Sequence, residues 1–465
     1  MKSKTAKHKK QNKKISIDAV WEPINLHAAG VDIGSREHWV CVPREASERP
    51  VRKFGTFTAD LEAMAEWFTA CGVTSIAMEA TGVYWIALFQ ILERRGFHVI
   101  LVNARQTKNV AGRKSDVQDC QWIQRLHTYG LLQGSFRPED PYCVVRTYLR
   151  YRDELVGARS TQCQHMQKAL LQMNVQLPHV LSDVTGVSGL AIIDAILKGE
   201  REPVKLAALV DRRVRASQQT IQQALHGDYR EEHLFVLRQA HELYHTYEAK
   251  ISACDGQIVR ELAHLPARVD PRIQPLPARK AGRSLYLDKM AGVDLRPELY
   301  EKLGVDLTGI EGLGVLTGLV LLTEVGPNVS RFRSEKHFCS WLGLCPDNRI
   351  SGGKILSSRT RRVVNRASDA LRLAATSLER SQTALGAFAR RMKARLGAAE
   401  GITATAHKLA RIIYRLLKHG EAYVRQGLED YEQKFAARKL NALQKTAKAM
   451  GFELIQKQPL PVSVS

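Results

Sequence analysis

Residues 29–43 read AGVDIGSREHWVCVP, and the fold turns on the one acid inside that run, Asp32. Val31 and Ile33 flank it in an apolar, β-branched stretch of the kind that builds a buried strand. A carboxylate there costs free energy unless something positive meets it. Three more β-rich runs follow, VRKFGTFT (51–58), TSIAMEA (74–80) and HVILVN (98–103), so the region is expected to hold four strands. Between them ADLEAMAEWFTACG (59–72) and VYWIALFQILERRG (83–96) carry helical periodicity, and each ends in the glycine that often follows a helix. Strands first, then strand alternating with helix, predict a mixed α/β sheet flanked by helices.

Further acids fall in step with Asp32. The run TSIAMEA ends near Glu79, again a lone carboxylate among apolar neighbours. KSDVQDCQWIQRL (114–126) puts Asp116 and Asp119 three apart at the head of a predicted helix, so both project from one face. Asp32, Glu79, Asp116 and Asp119 are therefore expected to converge at one edge of the sheet. Converging carboxylates repel, and the usual resolution is a hard divalent cation with oxygen ligands, Mg2+ or Mn2+. Two such ions about 4 Å apart serve phosphodiester chemistry. Taken singly, a helical DxxD reads equally well as a solvated, helix-capping face, and Asp32 as a satisfied turn acid. The order strand Asp, strand Glu, helical Asp pair favours the metal reading.

Lys and Arg total 69 against 47 Asp and Glu, a net charge of +22, which points to a polyanionic partner. Nucleic acid leads; charge alone leaves ribosome association and anionic membranes open. No apolar run reaches the roughly 18 residues that span a bilayer, and MKSKTAKHKKQNKKIS lacks a signal peptide's apolar stretch. A soluble, cytoplasmic protein with no membrane partner is expected. Eight cysteines without a CxxC pair indicate neither a zinc ribbon nor a disulfide framework, and they read as reduced and mostly buried.

The composition divides the chain into a basic disordered arm (1–15), the α/β domain (16–138), a helical or coiled-coil region (139–263), a linker (264–298), a mainly α domain (299–430) and a terminal helix with a frayed tail (431–465). The helical region carries two heptad-spaced seams. One runs through Val145, Leu149, Val156, Cys163, Met166, Leu170 and Met173, with Arg152 and Arg159 interrupting it. The other runs through Leu237, Ala240, Tyr244, Tyr247, Ile251, Cys254 and Ile258. An antiparallel coiled-coil arm and an ordinary helical bundle account for these stripes equally well. LPARVDPRIQPLPARKAGR (265–283), with four prolines, is incompatible with a regular helix or central strand.

In the last third, LTGIEGLGVLTGLVLLTEVG (307–326) places Gly312 and Gly314 between two apolar segments, similar to a helix-hairpin-helix whose backbone approaches a phosphate. A tight helix–helix turn is the plainer alternative. Downstream, Ser351 precedes two glycines, with Arg349, Lys354, Arg359, Arg361, Arg362 and Arg366 close by as candidate nucleic-acid contacts. Serine attacks phosphorus once its proton is removed and the developing charge is met, a task suited to guanidinium groups. Ser-Gly-Gly is also an ordinary turn. Trp341 and Tyr84 read as core residues.

The wording of these motifs carries a resemblance. The acid order resembles the DEDD set of RuvC-like, RNase H-like resolvases, matched by Asp32, Glu79, Asp116 and Asp119. GVDIGSREHWV, MEATGVYW, VNARQTKNVAGRKSDVQDC and SGGK resemble the serine-containing DEDD insertion-sequence transposases of the IS110 family, and the long middle region is similar to its IS1111 subgroup. The resemblance spans about Ala29 to Gly427. It implies a transposase that cuts and rejoins DNA at element ends and target through a covalent phosphoserine, with magnesium (or manganese) at the four acids. It also implies Ser351 as nucleophile, a structured bridge RNA as guide, and a homo-oligomer, dimer or tetramer. Ser357 and Ser358 are the nearest competitors of Ser351, and action in cis or in trans stays open. Rival readings are a RuvC-like junction nuclease using water and a non-catalytic nucleic-acid-binding protein.

Overall fold

The computed structural model describes residues 22–103, 107, 115–278 and 288–453, without the side chains of 421–432. The expected basic arm and the frayed tail lie outside the described residues. Two compact units divide the chain, residues 1–137 and 138–465.

In the first unit, AGVDIGSREHWVCVP is two strands rather than one. β1 (Ala28–Ile33) and β2 (Glu37–Cys41) form an antiparallel hairpin, and β3 (Val51–Gly55) extends it. The count of four strands is thereby corrected to five. The break falls at Gly34, where a Cβ would lie 2.5 Å from the Glu37 carbonyl oxygen, so the chain reverses within a run whose apolar composition continues. β4 (Ser75–Glu79) and β5 (His98–Val102) add in parallel, giving the order β3-β2-β1-β4-β5. Helices α1 (Thr58–Ala70) and α2 (Trp85–Arg94) precede these two strands. Ala29, Val31, Ile33 and Val40 pack with Met64, Phe68, Leu88 and Leu92 into a core covering one sheet face. Helix α3 (Asp116–Thr128) covers the other, with Ile123 against Ala77 and Val102. Tyr84, expected in the core, is 49% exposed, because it precedes α2 rather than lying on its apolar stripe.

The second unit is mostly helical. Its long helices α4 (Asp140–Gln172) and α5 (Glu231–His264) carry the two seams and pack together. The seam arginines explain themselves: Arg152 pairs with Asp255 and Arg159 with Glu248, so ascending positions on α4 meet descending ones on α5 and the pair is antiparallel. Val156, Cys163 and Tyr247 are only half-buried, whereas Leu155 beside Val156 is buried. Between α4 and α5, Ile192, Ile193, Leu206 and Ile221 of short helices close a core with Met166, Leu170, Leu234 and Leu237. The proline-rich 265–278 holds no helix or strand.

Beyond it come a small ribbon, β6 (Lys289–Met290) with β7 (Val293–Asp294), then α6 (Val315–Val325). The segment just before the GLG turn is a single 3-10 turn (Leu307–Gly309), which follows a helix at Leu295–Leu303. Gly312, at φ +84°, lies against Leu378, where a Cβ would come within 3.0 Å of Cγ, so its bareness serves packing. SGGK, in a region expected to be almost entirely helical, forms an antiparallel ribbon, β8 (Arg349–Ser351) with β9 (Lys354–Ser357), before α7 (Arg366–Ser377) and α8 (Ala398–His419). Helical pattern cannot persist where two adjacent glycines adopt left-handed backbone. Cys41, Cys120, Cys143, Cys254 and Cys339 are buried, and every cysteine is a free thiol. No helix among the described residues is long and apolar enough to cross a membrane.

Candidate active site

The strand acids sit at the carboxyl ends of neighbouring parallel strands. Register pairs Gly30 with Ala77 and Val31 with Met78, so the next step sets Asp32 of β1 beside Glu79 of β4. Helix α3 supplies the other two. Ser115 caps it, its hydroxyl accepting a hydrogen bond from the Gln118 amide, and Asp116 and Asp119 occupy the first turn. Acids suit that position because the free amides of a helix start carry partial positive charge.

Gly30 lets this helix head reach the strands. A Cβ there would fall 2.2 Å from the Gln124 backbone nitrogen and 2.5 Å from the Cys120 carbonyl oxygen, so α3 lies backbone against backbone on β1. The other end of α3 is pinned too. Gln124 Nε2 donates to the Ala28 carbonyl at 3.3 Å, and the buried His127 Nε2 stands 2.7 Å from Ser75 Oγ. Burial, helped by His98, pushes His127 down to about 4, so at neutral pH it is an uncharged hydrogen-bond partner.

The other three acids act on Asp32 electrostatically. Burial pushes the Asp32 carboxyl up to about 6, with the charges of Asp119, Asp116 and Glu79 adding to it in that order. Glu79 accepts a 3.0 Å hydrogen bond at Oε2 from the buried Thr107 hydroxyl. Thr107 and Gly30 belong to the site's construction and were not singled out from sequence. A bare glycine within an apolar strand was the available signal for Gly30. Thr107, inside a polar segment, offered none.

Among the described residues, no group of three or more His, Cys, Asp or Glu, the four acids included, is arranged so that it could hold a metal ion as it stands. The same holds for HELYH (241–245), whose HExxH spacing of zinc-binding helices contradicts the expectation from sequence that the histidines show no metal spacing. Its His241 and His245 face each other at 3.0 Å between Nε2 atoms, with Asp194 3.1 Å from His241.

In the second unit Ser351 ends β8 at the tip of the ribbon, and Gly352 and Gly353, at φ +55° and +76°, make the turn to Lys354. Ser351 and Lys354 are exposed, as are Ile350 (62%), Ile355 (62%) and Leu356 (70%). Arg349, Arg359 and Arg362 are exposed; Arg361 donates to the Ser340 carbonyl at 2.8 Å, and Arg366 pairs with Asp153 at 2.8 Å. Ser357 is half-buried and accepts from the Arg359 amide, whereas Ser358 is exposed. Trp341 packs with Phe332 and Phe338.

A family model described as a DEDD transposase of IS110 matches residues 29–175, and one described as transposase IS116/IS110/IS902 family matches residues 306–390. The chain belongs to the IS110 family of transposases. In this transposase the first match contains Asp32, Glu79, Asp116 and Asp119, and the second contains Gly312, Gly314 and Ser351. No curated protein matches the IS110-family chain.

Proposed function

We propose that this transposase cuts and rejoins DNA with the Ser351 hydroxyl as nucleophile, assisted by a divalent-ion site on Asp32, Glu79, Asp116 and Asp119 of an RNase H-like domain. The observation that carries the reading is the Asp32 carboxyl, held up to about 6 by burial and three neighbouring acids. Such a group is poised to release its proton when a cation arrives. Four carboxylates make an all-oxygen donor set that suits Mg2+ or Mn2+. When bound, the ion would polarise a phosphodiester and offset negative charge at the oxygens that attack and leave.

The residues divide the work. Asp32 and Glu79 project from fixed strand ends, Thr107 orients Glu79, and the capped helix head aims Asp116 and Asp119. Ser351 Oγ forms a bond to phosphorus as the scissile P–O bond breaks. The serine's proton leaves, and the released strand oxygen takes one up. In the rejoining step a strand hydroxyl attacks the phosphoserine and frees Ser351, so bond energy is conserved without a nucleotide. Arg349, Lys354, Arg359 and Arg362 meet phosphate charge around the ribbon, with Arg361 and Arg366 completing the basic set. The amides at the start of α6, beyond Gly312 and Gly314, form a further backbone contact.

Guidance by a structured RNA fits a chain of net charge +22. The α4–α5 pair, read as an antiparallel coiled coil, is the proposed assembly element for dimers or tetramers, and the boundaries proposed from sequence (16–138, 139–263, 264–298, 299–430) describe the working parts. The test is to trap the protein on an element-end DNA and map the residue that carries the phosphate. Phosphate on Ser351 supports the reading; on Ser357, Ser358 or no residue, it fails. The exposure of Ser351 on its ribbon keeps one rival in play, hydrolysis by water, and there Ser351→Ala would continue to cut.

A further inference from the structure

We propose that Trp39 and Lys53 form a track for the DNA strand at the acidic site, one base stacking on the Trp39 indole beside the scissile phosphate and a neighbouring phosphate meeting Lys53. This rests on the reading of the four acids as the strand-cutting site.

The sheet register makes the case. Lys53 on β3 stands directly opposite Trp39 on β2, and Trp39 directly opposite Asp32 on β1. Opposed residues of an antiparallel ladder project from the same face with Cβ atoms about 5 Å apart. One residue beyond the paired Val31 and Met78, the parallel register carries the row on from Asp32 toward Glu79. One row therefore crosses the sheet in the order Lys53, Trp39, Asp32, Glu79, with an aromatic and a cation in line with two acids. Their neighbours Val31 and Val40 turn to the opposite face and fill the core.

Trp39 is half-buried and lies outside that core cluster, and Lys53 is exposed. β3 is the terminal strand of the sheet, so the row ends at an edge from which a strand can enter. Glu37, on the same face, organises both groups. It accepts from the Trp39 indole N–H at 3.3 Å and holds Lys53 Nζ at 2.9 Å, which sets the ammonium 5.9 Å from the indole centroid. An ion pair this exposed contributes little stability and is screened by salt, so a phosphate can take the lysine over. A flat aromatic next to a lysine suits single strands: every base has a face to stack, and the backbone supplies charge without sequence. Trp39 and Lys53 are positioning residues and touch no reacting bond.

The test uses full-length protein and a fluorescein-labelled oligothymidine strand, with binding read by anisotropy over a salt series. Trp39→Ala is expected to weaken binding about tenfold at unchanged salt slope, and Trp39→Phe to keep most of it. Lys53→Ala is expected to lower the slope of log affinity against log salt by about one. In cleavage of element-end DNA, Trp39→Ala raises KM more than it lowers kcat. Folded Trp39→Ala that binds like the parent overturns the track. Should Trp39→Ala fail to fold, an unchanged salt slope in Lys53→Ala overturns it. Asp32→Asn separates the two readings: full cleavage in that variant sinks the acidic site itself, whereas loss of cleavage beside normal binding by Trp39→Ala sinks the track alone.

Discussion

The acidic quartet and the serine ribbon are built in opposite ways. The acids stand on the ends of two paired strands and on a capped helix that touches β1 backbone to backbone, pinned again at its far end by His127 and Gln124. Ser351 stands at the tip of a short two-stranded ribbon, among exposed apolar side chains, where two glycines make the turn. The difference teaches which half of the proposed chemistry is rigid in advance. Crowded carboxylates need a scaffold that opposes their repulsion, and packing supplies it. A serine on an exposed ribbon stands outside any such packed scaffold, which fits the proposal that it acts as nucleophile only once nucleic acid is bound.

The comparison breaks most sharply at its two chemical ends. Asp119→Asn and Ser351→Ala should each lower strand cutting by about a thousandfold or more, as loss of metal-held charge or of the nucleophile implies. They should differ in one respect: Asp119→Asn loses metal-dependent stabilisation in thermal unfolding, and Ser351→Ala keeps it. Equal behaviour in that melt would erase the distinction. Mixing Ser351→Ala with Asp32→Ala protein adds a readout of assembly, since recovered activity means sites shared between subunits and no recovery at any ratio means sites within one chain.

Next in size is the scaffold. Gly30→Ala should destabilise the first unit by about 3 kcal/mol, because the new methyl meets backbone atoms of Cys120 and Gln124 that have no rotamer to yield. Gly352→Ala, in open space at φ +55°, should cost only about 1 kcal/mol. Denaturant unfolding of both variants checks the ratio; similar losses would mean that the ribbon is as tightly determined as the sheet. Thr107→Val should weaken Mg2+ affinity about tenfold, since Glu79 loses a 3.0 Å donor, and calorimetric titration reads it.

The smallest effect is electrostatic. Asp32 has a folded carboxyl raised to about 6 from its ordinary 3.8, so the folded state binds its proton more tightly than the unfolded chain does. Metal-free stability should therefore fall as pH rises from about 4 to about 6. The loss is on the order of 1 kcal/mol after allowance for solvent screening. Asp32→Asn should flatten that window and melt higher than the parent at neutral pH without metal. A parent melting curve that climbs through the same window because of Asp32 would be the wrong sign.

The placement of the candidate acids on strand ends and a helix head was legible because it is written in local patterns. Asp32 and Glu79 interrupt apolar strands, and Asp116 with Asp119 follows a Ser cap, so each position declares a strand end or helix head over a few residues. The seams of α4 and α5 were legible for the same reason, whereas the acids that answer Arg152 and Arg159 were not, because Asp255 and Glu248 lie about a hundred positions away. The single strand drawn through AGVDIGSREHWVCVP failed for want of a contrast in composition: a two-strand hairpin reads as one run when its turn is only three residues. HELYH shows the converse, a motif spacing present in the chain without an ion cage among the described residues.

By itself the sequence determined which residues are acids at element ends, where the two long seamed helices run, the surplus of positive charge and the family of the chain. Tertiary structure alone decided the sheet order that brings β4 beside β1, the approach of α3 that Gly30 permits, and the row from Lys53 to Glu79. Strand and helix preferences act over a few residues and can be read locally. Which strand neighbours which, and whether a methyl has room, depends on packing between segments far apart in the chain, where local pattern carries no information.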